Sequence, residues 1–366
     1  MATQTLTDER VRSVSFLSKL LARPELGAMA GTIFVLLFFA VVAGGSGMFS
    51  IRGVINFLEV SAQLGIIATA AALLMIGGEF DLSVGSMIAF AGVAIAIPAT
   101  MLGWPMWLCI ALAFGLAVLV GYFNGWLVVS TGLPSFIVTL AGLFALRGLT
   151  VGITRSVTGR TQIPGLKNAS EADWLAPWFG GEAFQGAFVW LAENELIDKL
   201  PNGAPVASGV PMSILWWIAL TALATWILLR TKYGNWIFAA GGDKVAARNV
   251  GVPVKGVKIA LFIGTAVAAT IFATCQVTDF GSADTQRGIL KELEAIVAVV
   301  IGGTLLTGGY GSAIGAAFGA LIFGMVQMGI FYTGVDTDWF KVFVGVMVLV
   351  AVLFNNYVRK HATDSR

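Results

Sequence analysis

Charge is what this chain has least of: Asp, Glu, Lys and Arg make up 11% of its 366 residues, while 57% are hydrophobic. Soluble domains carry roughly 25% charged residues, so an ordinary globular enzyme is excluded and most of the surface must face lipid. Histidine is nearly missing, with His361 in the polar C-terminal tail as the single copy. A His-Glu-x-x-His zinc site and a Ser-His-Asp triad each need an imidazole inside a formed site, so neither is expected. The two cysteines, Cys109 and Cys275, lie inside apolar runs and read as small buried hydrophobes, not as a disulfide or a metal pair. No Lys directly follows a Gly, so there is no G-x-x-x-x-G-K-[ST] phosphate loop and no nucleotide site of that kind. No cofactor and no metal are expected in the chain itself.

Apolar length is what it has in excess, with a mean hydropathy of +0.87. About twenty residues cross a ~30 Å hydrocarbon layer, and runs of that kind fall near 27–43, 54–77, 83–101, 105–128, 134–153, 212–230, 258–278, 293–307, 312–332 and 339–358. The fold class expected is an all-α integral membrane protein of about ten transmembrane helices with an internal repeat and both termini cytoplasmic. Pro134 and the Gly-rich 302–311 stretch predict short or broken helices at 134–153 and 293–307. The first 26 residues carry Arg10, Arg12, Lys19 and Arg23 and read as a cytoplasmic tail; a cleaved signal peptide would close on a small-residue site and would not be followed by so many spans. Residues 27–358 are expected to form the membrane domain and 359–366 a second tail.

Charge orients this map. The two tails and the 231–258 loop with Arg230 hold 13 basic residues; with 7 acidic residues on the same side, that side nets +6, whereas the other, with 9 basic and 13 acidic, nets −4. Basic residues near span ends face the cytoplasm, so the tails and the 231–258 loop are placed inside. A total charge of +2 gives no reason to expect nucleic acid. The outer segment at 154–211 is long and Trp-rich and reads as a packed loop or as a lip for a soluble partner, and its 182–200 portion is suited to an amphipathic helix at the interface.

Two stretches echo each other: Ile76-Gly77-Gly78 followed by Gly85-Ser86, and Ile301-Gly302-Gly303 followed by Gly311-Ser312. Both precede a new apolar run, as two repeats running in one membrane direction would, and transporters place their pathway between such repeats. Gly311, Gly315 and Gly319 then make a smooth stripe for close helix approach.

The cytoplasmic loop carries a distinct unit. Asp243 is suited to cap a short helix over Lys244 to Asn249, and Gly251 to end it before Pro253. Small Ala246 and Ala247 would let such a knob enter a groove, and Arg248 offers a forked donor to acidic or backbone acceptors. Gly241-Gly242-Asp243-Lys-Val-Ala-Ala-Arg248-Asn-Val-Gly-Val252 resembles the ATPase-coupling segment of ribose/xylose-type ABC importer permeases, the monosaccharide branch of binding-protein-dependent transport. Asp81-Leu82-Ser83-Val84-Gly85-Ser86 is similar to that family's signature turn. Leu133 to Gly142 and Ile301-Gly302-Gly303-Thr304 through Gly308 to Ser312 resemble two further stretches, in the family's order, across roughly 50–358. The outer segment is longer than that family leads one to expect.

The resemblance implies a non-enzymatic permease that works as a homodimer or heterodimer in the bacterial inner membrane. ATP and Mg would be bound by partner ATPase subunits, and a periplasmic sugar-binding protein would deliver a monosaccharide or related polyol. Closure of the ATPases would move the knob formed by Gly242, Asp243, Ala246, Ala247, Arg248 and Gly251. Neutral side chains suited by type to a sugar pathway are Asn56, Gln63, Asn124, Ser135, Phe136, Thr139 and Gln327. The alternative is a secondary transporter driven by an ion gradient, with Glu59 as the nearest ionisable residue. An intramembrane enzyme lacks its histidine and a buried Asp pair, and a scaffold its coiled coil.

Overall fold

The computed structural model describes residues 24–336, 338–346 and 349, so nearly all of the 1–26 tail, the whole 359–366 tail and half of the span expected at 339–358 lie outside it. Five helices open the chain: α1 (Pro24–Val42), α2 (Ile51–Ile76), α3 (Val84–Met101), α4 (Met106–Thr131) and α5 (Ser135–Thr158). Their ends follow local chemistry. Ser50 caps α2 by accepting from Gly53 N, and Gly132 and Gly159 close α4 and α5 in the left-handed conformation. The broken helix expected beyond Pro134 is not formed: α5 runs 24 residues without a break, because proline ahead of the first turn lacks only an N–H that would have no helical partner there.

The 159–211 stretch then builds β1 (Gln162–Pro164), α6 (Lys167–Glu171), α7 (Pro177–Gly180), β2 (Glu182–Ala183), α8 (Gln185–Glu193) and β3 (Val210–Pro211). The amphipathic helix expected over 182–200 is reduced to the 9 residues of α8, which stops where Glu195 turns left-handed at φ 58°. After it come α9 (Met212–Arg230), α10 (Lys232–Gly242), α11 (Lys244–Asn249), α12 (Val254–Phe280), β4 (Ser282–Asp284), α13 (Lys291–Ile301) and α14 (Ala313–Tyr332). α2, α3 and α4 surround α12, α14 lies against α2 and α1, and Phe179 of α7 stacks on Trp216 of α9 with ring centroids 5.1 Å apart.

Among the described residues, 8 helices are long and apolar enough to cross a membrane: α1 to α5, α9, α12 and α14. The span expected at 293–307 is corrected by α13, whose 11 residues reach only about 16 Å of a ~30 Å layer. The chain before it is not helical. β4 pairs with β1, Ala283 lies beside Gly92 in the middle of α3, and Gly288 lies beside Gly85 at its start, so residues 283–288 run back along α3. Backbone of that kind at membrane depth needs partners within the protein. Arg147, midway along α5, supplies two: its Nη1 donates to the carbonyls of Thr285 at 3.0 Å and Arg287 at 3.3 Å. Arg147 is thus an ionisable group midway along the span read at 134–153, where the sequence reading singles out neutral residues alone.

Close approach of α13 and α14 depends on two small residues. A methyl group at Gly315 would fall on the carbonyl oxygen of Gly302, and one at Gly319 on that of Ala298. Gly311, the third member of the expected stripe, lies ahead of α14 against Thr304. Gly315→Leu is expected to lower the yield of folded protein in the membrane, with a destabilisation of about 3 kcal/mol from overpacking against backbone; an unchanged yield and thermal midpoint in fluorescence-detected size exclusion would remove this contact from the determinants of folding.

Candidate functional site

The two echoed glycine pairs end their helices in the same way. Gly78 N donates to the Met75 carbonyl and Glu79 N to that of Leu74; Gly303 N donates to Val300 and Thr304 N to Val299. Both second glycines are left-handed, Gly78 at φ 79° and Gly303 at φ 85°. This is the paired bonding that closes a helix end with a left-handed glycine, used at α2 and at α13, and in both cases the chain turns back into a crossing helix, α3 or α14. The repeat seen in the sequence is thus a repeat of local conformation as well.

The two turns meet, and the α10–α11 junction meets both. Gly309 N donates to the Ile76 carbonyl at 2.8 Å. A methyl group at Gly308 would sit 2.7 Å from Gly78 Cα and 2.9 Å from Gly241 O, and one at Gly241 would fall on Ile76 O. Three backbone segments from distant parts of the chain therefore touch without side chains between them. The α10–α11 junction rests directly on the C-terminal end of α2 and on the turn between α13 and α14.

The turn after α2 is held from its other side by polar side chains. Asp81 is buried: its Oδ1 accepts from Ser83 Oγ at 2.6 Å and Ser83 N at 2.9 Å, and its Oδ2 accepts from Thr265 Oγ of α12 at 2.6 Å. Burial pushes the Asp81 carboxyl above its ordinary range, against the downward pull of the Ser83 and Thr265 hydroxyls. Asn124 Nδ2 donates to Ser83 Oγ at 3.0 Å, Leu82 N donates to Thr139 Oγ at 3.0 Å and Phe80 N to Ser135 Oγ at 3.0 Å. Glu79 forms an ion pair with Lys258 of α12. Gly85 completes the turn at close contact with Glu292 of α13. Ser312 caps α14 by accepting from Gly315 N, a contribution of about 1 kcal/mol.

Beyond this junction, α11 projects as a knob. The Asp243 carboxylate accepts from Val245 N at 2.8 Å and Ala246 N at 3.0 Å, and these bonds, Ala246 first, hold its pKa below the ordinary carboxylate range. The cap is present at neutral pH and is lost as pH falls through that lowered value. Gly251 at φ 86° ends the helix, with Val252 N donating to the Ala247 carbonyl. Ala247 is buried against its own chain, while Lys244, Val245, Ala246, Arg248 and Val250 are exposed, Val250 at 79%. Of the two alanines read as groove-entering, Ala246 alone faces outward; Gly242 beside it is also exposed.

The seven residues of pathway type separate. Asn124, Ser135 and Thr139 spend their hydrogen bonds on the 80–83 turn, and Phe136 is exposed in a cleft beside α11. Asn56 Nδ2 donates to Tyr332 OH at 3.2 Å, joining α2 to α14. Gln63 accepts from Gln276 of α12 at 3.1 Å and donates to Glu59 at 3.5 Å. Glu59 lies within electrostatic reach of Glu182 and Asp279. Gln327 has its Oε1 buried without a hydrogen-bond partner. Thr265, Lys258 and Arg147 went unread in the sequence: each takes its role from a partner more than a hundred residues away, and no local spacing marks them.

The family described as branched-chain amino acid transport system / permease component matches residues 53–352. The chain is 32% identical to the xylose transport system permease protein XylH of Escherichia coli (strain K12), across 91% of this chain and 92% of that protein. It is 30% identical to the ribose import permease protein RbsC of Escherichia coli (strain K12), across 97% of this chain and 99% of the relative. It is also 30% identical to the inner membrane ABC transporter permease protein YjfF of the same strain, across 87% and 88%. No solved structure matches it.

Proposed function

The chain belongs to the family described as branched-chain amino acid transport system / permease component, and on that premise we propose that it is the membrane permease of an ATP-driven importer for a monosaccharide or related polyol. The xylose and ribose permeases it resembles along nearly their full lengths support the sugar assignment. The observation that carries the mechanism is the exposed, capped helix α11, rooted in a junction where Gly241 touches the ends of two structurally repeated turns. In this reading α11 docks on a separate ATPase subunit at the cytoplasmic face, and ATP and Mg are bound there. Closure of the ATPases shifts α11, and the glycine contacts pass the shift to α2, α13 and α14. A periplasmic binding protein supplies the solute on the opposite face, and a second permease copy completes the assembly.

The test is uptake into vesicles containing the permease, its ATPase and its binding protein. Transport of a pentose with ATP inside and no ion gradient is the expected result. Uptake that needs a gradient and ignores ATP would replace this reading with secondary transport through the Glu59 region. A thermal-shift screen of the binding protein with pentoses, polyols and amino acids checks the solute separately. A branched-chain amino acid as the stabilising ligand would overturn the sugar assignment and leave the permease assignment standing.

A further inference from the structure

We propose that the cleft between α11 and the α4–α5 turn binds the headgroup of an anionic phospholipid. The cleft measures about 710 Å³, within the ~300–1,000 Å³ of small-molecule sites. Its walls differ in chemistry. Val129, Leu133, Pro134 and Phe136 form an apolar side, with Leu133 and Phe136 about half exposed. Lys244 and Arg248 of α11 and Lys255 of α12 form a cationic side.

The acidic groups in the lining do not neutralise that side. Glu79 is engaged by Lys258, and Asp243, ionised and accepting from two backbone N–H groups, offsets one of the three cations and leaves two in excess. Lys244, Arg248 and Lys255 form no ion pair among the described residues. A small soluble anion would use the cations alone, whereas a phospholipid would use both walls, its phosphate on the cations and the start of its acyl chains along Leu133 and Phe136. The place fits too. The cleft lies where α4 ends and α5 and α12 begin, which is the headgroup level of the bilayer. The proposal rests on the orientation given above, which sets this end in the cytoplasmic leaflet, where anionic lipids attract basic segments close to the membrane. A lipid there would lie against the coupling helix and make its freedom to move sensitive to membrane composition.

Native mass spectrometry of the purified full chain tests the site, with dioleoyl phosphatidylglycerol against dioleoyl phosphatidylcholine. Phosphatidylglycerol adducts are expected to exceed phosphatidylcholine adducts by about fivefold or more, since each basic residue near a lipid headgroup is worth about that factor. The Lys244→Ala/Lys255→Ala double variant, which keeps Arg248, is expected to weaken that preference by about fivefold or more, while Arg160→Ala just beyond the other end of α5 changes nothing. Equal retention of both lipids by the unaltered chain, or a preference left undiminished by the double variant, overturns the proposal. Equal retention would leave the cleft to an acidic segment of the ATPase, and displacement of lipid by equimolar inorganic phosphate would make it a free-anion site. Adducts in detergent do not depend on which face is cytoplasmic. Thiol labelling of a Val250→Cys variant from either side of sealed vesicles tests the orientation by itself, so the two failures are distinguishable.

Discussion

Arg248→Glu is expected to leave membrane yield at the level of the unaltered chain and to cut ATP-dependent uptake by about a hundredfold, on the scale of the several kcal/mol that a like-charge juxtaposition costs at an interface. The yield should hold because Arg248 is exposed at the tip of a six-residue helix and makes no ion pair among the described residues. Its position beside exposed Val245 and Val250 gives α11 a mixed apolar and cationic face, the composition a docking anchor needs. Reversing the charge leaves the helix, its Asp243 cap and its Gly251 stop in place and changes only what a partner meets. The measurement pairs uptake with ATPase rate in reconstituted vesicles. Loss of uptake with ATP turnover no longer stimulated by the solute is the expected signature of uncoupling. Normal uptake would take Arg248 out of the docking surface, and a drop in yield would mean that it supports the fold instead.

Gly241→Val should do the opposite and remove the folded protein. The added carbons would fall on Ile76 O at the end of α2 and within 2.7 Å of Gly309 N in the turn before α14, both of them backbone atoms that cannot swing aside. A destabilisation of about 3 kcal/mol or more follows from overpacking of this kind. Yield after membrane extraction and the thermal midpoint should both fall. Gly242→Ala is the control within the same turn, because a methyl group there meets nothing within 4 Å; it should keep both yield and midpoint. Equal tolerance of the two changes would show that the three-turn junction opens freely and would deprive α10, which carries α11, of its direct contact with α2.

Much of this was legible locally. The α11 unit is defined by Asp243, by Gly251 and by the absence of long apolar residues between them, and each acts within a few residues of itself. The α2 and α13 ends are legible for the same reason: a glycine pair after an apolar run closes a helix by bonds that span five residues. Pro134 misled because its effect depends on position, breaking a helix from inside and starting one from the front. The 293–307 run misled because hydrophobicity there serves burial within the protein, with Ala298, Val299 and Val300 packed inward, and not exposure to lipid. Residues typed as pathway lining showed the limit of residue type: Asn124, Ser135 and Thr139 hydrogen-bond to the 80–83 turn.

By itself the sequence determined that the chain lives in lipid, that it has neither a P-loop nor a histidine-based catalytic centre, and that a short capped helix stands between two apolar spans. Composition, periodicity and caps are sums over near neighbours, and near neighbours are all that such statements require. Only the tertiary structure decided that the two glycine turns and Gly241 share one point, that Asp81 is held by Thr265, and that Arg147 satisfies carbonyls of the chain running back along α3. Those contacts join residues far apart in the chain, and in a membrane, where backbone polar groups find no water, the chain's path in space chooses their partners.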